Sequence, residues 1–391
     1  MALRAFMPAL ANKTYFNYGG QGPLPTPSLE AITGSWQQIQ ELGPFTSTIW
    51  PYITAQTDRL RLLLADRCGV GTHRIGFTEN VTSGCVLPLW GLPWQPDDEL
   101  LIGDCEHPGV VAACQELARR HGCSTANLRV QALCRDTPNE HLAGAVLNAM
   151  DRGLTPRTRL VVLSHLLWNT GSVMPIEAVA ERLAAHPNRP WLLVDAAQSM
   201  GSLPVAAAAA AADIYAFTGH KWCCGPEGLG GVALSERLLE EAFPTLIGWR
   251  SLSNEGKAGS GFHPDARRFE VATSCTPLLC GLATSLELLD GAGGETERLD
   301  QIRQRSRQLW QGLRKIGGIH PLLPEPPPAG LVSFLVDDAA PDSIVRQLGE
   351  QGLWLRSLDD PHCLRACTHI TTTSEEVERL LAALDPGPSL A

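Results

Sequence analysis

A lysine and an aspartate end two apolar stretches in the segment from Trp191 to Gly231. The first stretch ends at Asp195, and the second ends in Thr218-Gly219-His220-Lys221, which leads into a glycine-rich turn. If both stretches are parallel strands joined by the small-residue helix between them, their ends meet where open α/β sheets bind ligands. The two side chains form either a structural ion pair or the acid and amine of a catalytic site, and this segment alone leaves both interpretations open.

Other strand ends carry side chains that suit the same edge of the sheet. The stretch Asn80-Val81-Thr82-Ser83 joins a strand to a helix, where free backbone N–H groups and hydroxyls can hold an anion. Simple capping of that helix by Thr82 or Ser83 is the alternative. His107 and Asn169 follow two further strands, and Gln198 follows Asp195 closely.

These residue types match the chemistry of a pyridoxal 5'-phosphate site. Lys221 can bond the cofactor aldehyde, and Asp195 can pair with the ring nitrogen, which keeps the ring able to accept electrons from a substrate carbanion. His107 can stack on the ring, and Asn169 can donate a hydrogen bond to the phenolic oxygen. The groups that can hold the phosphate are the backbone N–H groups of Val81 and Thr82, together with Thr218 and His220. Without a G-x-x-x-x-G-K-[ST], G-x-G-x-x-G or H-E-x-x-H motif, we expect no nucleotide and no metal.

The elements that must position these residues alternate along the chain. Strands and helices alternate from about residue 74 to residue 231, which predicts an α/β fold with a mostly parallel central sheet flanked by helices. Near residue 295 the pattern changes to a long helix, a proline-rich stretch, short strands and a closing helix that Ser374 would cap. We therefore expect a large cofactor-binding domain at 17–288 and a smaller α+β domain formed by 1–16 and 289–391.

Composition limits the class of protein. The 391 residues carry a formal net charge of −10 and no basic cluster, so we expect neither nucleic acid nor an anionic membrane as a partner. Twelve cysteines are scattered without a C-x-x-C pair, which favours reduced thiols and a cytoplasmic location. We find no signal peptide and no apolar run long enough to span a bilayer.

The order of short motifs resembles a known family. S-H-x-x-x-N, D-x-A-Q, T-G-H-K, G-P-x-G and R-F-E-x-x-T follow one another as in the fold type I, class V aminotransferases of the cysteine desulfurase group. The resemblance extends from Phe16 to the closing helix. It implies that Lys221 carries pyridoxal 5'-phosphate, Asp195 pairs with the ring nitrogen, Gln198 and Asn169 contact the phenolic oxygen, and His107 stacks. It also implies that Thr273 reaches the phosphate of a neighbouring subunit in a homodimer.

The chain departs from this pattern near its C-terminus. Desulfurases carry a persulfide-forming cysteine on a mobile loop before the arginine that binds the substrate carboxylate, which Arg365 matches. Here only eight residues, SLDDPHCL, separate Arg356 from Arg365, and they leave little room for such a loop. Cys363 is either an ordinary strand residue or a nucleophile that shares the face of Arg365.

Further segments are similar to the cyanobacterial cystine C-S lyases within this group. These segments are Asn17-Tyr18-Gly19-Gly20-Gln21-Gly22 and Gly248-Trp249-Arg250. The similarity implies that Gly20, Gln21 and Trp249 contribute to the substrate pocket, although a tryptophan is also a common packing residue. Arg365 and Arg356 could each bind one carboxylate of cystine, or Arg356 could be a surface charge.

The resulting hypothesis is a lyase that cleaves cystine by β-elimination to pyruvate, ammonia and cysteine persulfide. The persulfide could pass to a sulfur acceptor or to an iron–sulfur apoprotein. The alternatives are a cysteine desulfurase that uses Cys363, an epimerase or aminotransferase on the same fold, and a binding protein that carries no cofactor.

Overall fold

The computed structural model describes residues 2–254, 257 and 259–385. The α-helices of these residues are α1 (Ala2–Ala5), α2 (Thr26–Leu42), α3 (Ile49–Cys68), α4 (Val81–Trp90), α5 (Pro108–His121), α6 (Gln131–Asp136), α7 (Asn139–Gly153), α8 (Ile176–Ala185), α9 (Ala206–Ala211), α10 (Glu236–Glu241), α11 (Thr276–Asp290), α12 (Glu295–Leu313), α13 (Pro341–Glu350) and α14 (Ser374–Leu384). The strands are β1 (Thr14–Tyr15), β2 (Ile75–Thr78), β3 (Glu99–Gly103), β4 (Ser124–Leu128), β5 (Thr158–Ser164), β6 (Trp191–Asp195), β7 (Ile214–Thr218), β8 (Gly230–Leu234), β9 (Ile319–Pro321), β10 (Leu331–Val336), β11 (Leu353–Trp354), β12 (Arg356–Asp359) and β13 (His362–Cys367).

A seven-stranded sheet in the order β2-β8-β7-β6-β5-β3-β4 forms the centre of the molecule. Strands β4, β3, β5, β6 and β7 pair in parallel, and β8 pairs antiparallel with both of its neighbours. Both β6 and β7 are buried along their whole length, which is typical of parallel strands covered by helices on two faces. The predicted α/β fold with a mostly parallel sheet is confirmed.

A second sheet carries the C-terminal site residues. Its strands lie in the order β12-β13-β10-β9 and pair antiparallel. A separate apolar core stabilises this region and includes Phe16, Leu309, Phe334, Leu364 and Leu380. The contribution of Phe16 ties the N-terminal segment to this core. The domain boundaries at 17–288 and 289–391 stay a prediction, and the last six residues lie outside the described part.

Two local features differ from the sequence prediction. Thr373, not Ser374, caps α14: its Oγ1 accepts from the N–H of Glu376, and the Glu376 carboxylate accepts from the N–H of Thr373 at 3.0 Å. The chain also contains β4 and α7, which the sequence pattern did not indicate. Strand β4 reads STANL and is half exposed at the sheet edge, so it lacks the apolar run that marks a buried strand.

None of the helices in the described residues combines the length and apolar character that a membrane span requires. All twelve cysteines are free thiols.

Candidate active site

A cavity of about 360 Å³ lies where the carboxyl ends of the central strands meet the second sheet. Ser164 ends β5, Asp195 ends β6, and Lys221 follows β7, so the parallel strands deliver these residues to one edge. The predicted site residues that line this cavity are Gly20, His107, Asp195, Gln198, Lys221, Arg356 and Arg365.

The Lys221 amine and the Asp195 carboxylate attract each other across the cavity but form no salt bridge. Burial lowers the pKa of Lys221 to about 8, and the charge of Asp195 acts in the opposite direction. Burial also raises the pKa of Asp195, whose Oδ1 accepts a hydrogen bond from the N–H of Ala197 at 2.9 Å. Because no ion pair joins the two side chains, the interpretation of Lys221 and Asp195 as a simple structural ion pair is not supported.

His107 presents a fixed aromatic ring to the same cavity. It is the N-cap of α5, and its Nδ1 accepts the N–H of Gly109 at 3.2 Å, so a neutral ring carries its proton on Nε2. Partial burial lowers the pKa of this imidazole; the charge of Asp195 acts in the opposite direction, and the charges of Lys221 and Arg356 lower the pKa further. A neutral ring held by its own helix cap is suited to stacking on a flat cofactor.

The predicted anion-binding stretch after β2, residues 80–83, contains the N-cap of helix α4. Asn80 Oδ1 accepts from the N–H of Ser83 at 2.9 Å, so Asn80 caps α4, and the alternative of capping by Thr82 or Ser83 does not hold. Thr82 and Ser83 line a second cavity of about 560 Å³, and Thr273 lines it too. This placement leaves the Thr82 and Ser83 side chains at the start of a helix, where an anion is favoured.

The remaining predicted phosphate ligands lie near the ends of two strands. Thr218 Oγ1 and His220 Nδ1 share a hydrogen bond of 2.7 Å at the end of β7, and Val81 is the first residue of α4. Neither cavity is lined by Val81, Thr218 or His220. Their contacts with the phosphate stay predictions.

Arg365 is a buried guanidinium without a carboxylate partner among the described residues. It is 1% exposed, and its Nη1 donates to the carbonyl oxygen of Trp168 at 2.9 Å. Its Nε and Nη2 reach no oxygen acceptor among the described residues, and the Cys367 thiol is the other side chain in contact with the guanidinium. Because buried charges are normally paired, this arrangement indicates that a ligand supplies the missing anion.

Arg356 lies directly opposite Arg365 in the β12–β13 register; it is exposed to solvent, as expected of a surface charge, and also lines the same cavity. Like charges directly across a strand pair are destabilising unless an anion lies between or beside them. The structure therefore places the guanidinium groups of Arg356 and Arg365 at the same cavity.

Besides the predicted phosphate ligands, three further predicted site residues do not line the Lys221 cavity. Asn169 turns away, and its Nδ2 donates to the carbonyl oxygen of Asp360 at 3.2 Å, while the preceding Trp168 lines the cavity instead. Gln21 is exposed and is held through its backbone: its oxygen accepts from the Tyr15 hydroxyl at 2.7 Å, and its N–H donates to the carbonyl oxygen of Asn17 at 3.0 Å. Trp249 lies in a one-turn helix with the Arg250 guanidinium 5.1 Å from its ring centroid, and it lines neither cavity of this chain.

Cys363 does not have the environment of a nucleophile. It is fully buried, packs with Leu322 and Leu358, and does not line the cavity. Burial raises the pKa of its thiol to about 12, although Arg365 acts in the opposite direction. The thiolate required for sulfur abstraction is therefore disfavoured at neutral pH.

Sequence reasoning also missed residues of this site. Trp168, Ser164 and Gly19 line the cavity, and Glu106 lies beneath it. The Glu106 carboxyl accepts from the N–H and the hydroxyl of Ser164, both at 2.8 Å, and burial raises its pKa to about 8. The signal available in the sequence was the position of Glu106 immediately before His107.

The residues present fit pyridoxal 5'-phosphate. The cavity offers a lysine amine whose pKa is lowered, a buried carboxylate and a neutral aromatic plate, and a helix start with free hydroxyls lies nearby. No group of His, Cys, Asp or Glu side chains in the described part of the chain is arranged to hold a metal ion. The fold and site thus define a pyridoxal-phosphate-dependent enzyme of fold type I.

A profile of the family Aminotransferase class-V matches residues 29–380, and the chain belongs to this family. Among relatives, isopenicillin N epimerase of Streptomyces clavuligerus is 29% identical, covering 94% of this chain and 93% of its own. Cysteine desulfurase of Haloferax volcanii is 27% identical, covering 82% and 76%.

Solved structures of higher identity also match. The cystine C-S lyase C-DES, in complex with its reaction product cysteine persulfide, is 44% identical with a TM-score of 0.91, covering 97% of this chain and 99% of its own. A C-DES variant with glycine linked covalently to its pyridoxal-phosphate cofactor has a TM-score of 0.92 at the same identity, covering 98% and 99%.

Proposed function

We propose that this enzyme is a cystine C-S lyase that cleaves cystine by β-elimination. The observation that carries the proposal is the pair Arg356 and Arg365, which face each other in the Lys221 cavity without a carboxylate partner among the described residues. Cystine carries two α-carboxylates, so each can take one guanidinium in a charge-assisted pair. The similarity to C-DES, which was solved with cysteine persulfide, supports the same substrate class.

The residues of the cavity have separate roles in this reaction. Arg365 binds the α-carboxylate of the half that reacts and orients its Cα–H bond. Lys221 Nζ, with a pKa of about 8, has a sizeable neutral fraction near neutral pH and can take the Cα proton. Asp195 would pair with the ring nitrogen of the cofactor, and His107 would hold one face of the ring. The bound cofactor supplies the electron sink that stabilises negative charge at Cα.

The balance of the reaction favours a disulfide substrate. The Cβ–S bond breaks, and its electron pair leaves with the sulfur as cysteine persulfide, which is a weaker base than a sulfide ion and so leaves more readily. The remaining three-carbon fragment takes up one water and yields pyruvate and ammonia. Cystine and water thus give pyruvate, ammonia and cysteine persulfide without an oxidant or reductant. We propose a sulfur acceptor, or an iron–sulfur apoprotein, as the consumer of the persulfide.

A cysteine desulfurase is the second candidate, and the burial of Cys363 speaks against it. Purified enzyme is given cystine, cysteine and other β-substituted amino acids, and pyruvate and persulfide are measured. We expect cystine to be the preferred substrate and Cys363→Ala to retain pyruvate and sulfur release. Complete loss of sulfur release in this variant would refute the lyase, and an absence of pyruvate from cystine would favour an epimerase or aminotransferase.

We also propose a homodimer in which Thr273 completes the phosphate site of the neighbouring subunit. Large apolar side chains are exposed in the monomer, including Phe45 at 84%, and others are Trp36, Leu246 and Ile247. Leu246 lines the same open cavity as Thr82 and Thr273, which is consistent with a partner covering this face.

A mixed dimer tests this arrangement. Lys221→Ala and Thr273→Ala are each expected to be impaired, but a dimer of the two contains one site with an intact Lys221 and a Thr273 from the other subunit. Mixing the variants under exchange conditions should therefore restore activity. If Thr273 serves its own subunit, mixing restores nothing.

A further inference from the structure

Trp222 makes a hydrogen bond that determines the orientation of the Gln198 amide. Its Nε1 donates to Gln198 Oε1 at 2.8 Å, and the two side chains are 0% and 4% exposed. An indole nitrogen is only a donor, so the atom that faces it must be the amide oxygen. The nitrogen Nε2 then donates one proton to the carbonyl oxygen of Gly19 at 3.0 Å. Since Gln198 lines the Lys221 cavity, its second N–H remains for a ligand there.

Trp222 is itself held by a buried network with defined proton positions. Its carbonyl oxygen can only accept, so His369 Nε2 carries the proton of their 3.3 Å contact, and His369 Nδ1 is left as an acceptor. That Nδ1 accepts from the Thr371 N–H at 3.4 Å and lies 3.0 Å from the Thr371 hydroxyl, which shares a hydrogen bond of 2.6 Å with the Tyr18 hydroxyl. The rings of Tyr18 and His369 stack with centroids 4.2 Å apart. All of these residues are buried, and satisfied buried networks hold one arrangement.

We propose that Trp222 is a positioning residue that holds Gln198 as a hydrogen-bond donor to the phenolic oxygen of the cofactor. Without the indole N–H, the amide can turn its oxygen toward the cavity, where it would repel an anionic oxygen. The inference depends on the cofactor and not on the proposed substrate, because cofactor binding can be measured without any substrate.

Release of cofactor from purified holoenzyme on ultrafiltration measures this directly. Trp222→Phe keeps the buried ring and removes only the N–H, so we expect the cofactor dissociation constant to rise roughly fivefold, the effect of one hydrogen bond. In a Gln198→Ala background the same replacement should have no further effect, because there is no amide left to orient. Trp191→Phe is the matched control, since Trp191 is also buried but its Nε1 has no partner, and it should leave cofactor affinity unchanged.

A weakening by Trp222→Phe that is equal in both backgrounds would show a packing role and overturn the proposal, as would no weakening at all. If Trp222→Phe does not fold, Gln198→Glu gives the same information. Glutamate retains an acceptor for Trp222 but has no donor for the cavity and adds a negative charge, so cofactor affinity should fall at least as far as in Gln198→Ala. Wild-type affinity in Gln198→Glu would mean that the amide presents its oxygen to the cofactor, and the proposal would be wrong.

Discussion

Replacing Arg365 with methionine should separate function from stability. In the protein, Nη1 has one hydrogen bond to the Trp168 carbonyl oxygen, while Nε and Nη2 are buried without an oxygen acceptor, next to the weakly accepting Cys367 thiol. Each buried unsatisfied donor costs at least about 1 kcal/mol, and the single bond contributes about 1 kcal/mol. Arg365→Met removes both terms, so we expect the free energy of unfolding of the substrate-free enzyme to stay unchanged or rise by about 1 kcal/mol.

Catalysis should change in the opposite direction. Two charge-assisted hydrogen bonds to the substrate carboxylate contribute about 4 kcal/mol together, which corresponds to a loss of roughly a thousandfold in kcat/KM. Steady-state pyruvate formation from cystine and urea unfolding of the same preparation measure the two effects.

Arg298 provides the matched control for this experiment. It is equally buried, but its Nη1 donates to the carbonyl oxygens of Leu289 and Gly293, so its role is structural. Arg298→Met should lower the free energy of unfolding by about 2 kcal/mol and leave kcat/KM of the folded enzyme unchanged. If Arg365→Met instead behaves like this control, losing stability and retaining activity, then Arg365 is not the carboxylate site.

Four further outcomes are expected. Arg356→Met should raise KM for cystine about tenfold. The KM for a mixed disulfide of cysteine whose second half has no carboxylate should not change. Equal effects on both substrates would contradict the role of Arg356. Activity should rise with pH around a midpoint near 8, because burial lowers the pKa of Lys221 and the amine must be neutral to take a proton; a profile flat from pH 7 to 9 would argue against this assignment. Gly19→Ala should lower kcat/KM at least about tenfold, since the new Cβ would lie 2.8 Å from Arg365 Nη2 and 3.0 Å from Gln198 Oε1, and normal kinetics would show that this contact relaxes. Thr373→Ala should lower the free energy of unfolding by about 1 kcal/mol through loss of the α14 cap, with kcat unchanged.

The residues that local patterns could identify are those at the ends of buried parallel strands. Asp195 ends the apolar run of β6, and Lys221 follows the apolar run of β7. Short-range periodicity is enough to predict such strands. Parallel pairing then brings their ends to one edge, whatever the details of packing. The edge strand β4 could not be found in this way, because half of its residues face solvent and its pattern is not apolar.

Side-chain placement in loops is what sequence patterns resolve least. Asn169 and Trp168 are adjacent after β5, and the path of the loop backbone brings only Trp168 to the cavity. Similarly, Asn80 rather than Thr82 caps α4, because the cap depends on the dihedral angles of one residue. The spacing of residues in a sequence does not show which of two nearby residues in a loop makes a given contact.

The sequence by itself determined the cofactor and the family and predicted the catalytic pair, because these depend on residue types at strand ends and on the order of motifs. The tertiary structure alone decided what surrounds that pair. The β12–β13 register places Arg356 opposite Arg365, packing against Leu322 and Leu358 buries the Cys363 thiol, and Trp222 orients Gln198. Register, burial and hydrogen-bond direction arise from contacts between residues far apart in the chain, so local patterns do not contain them.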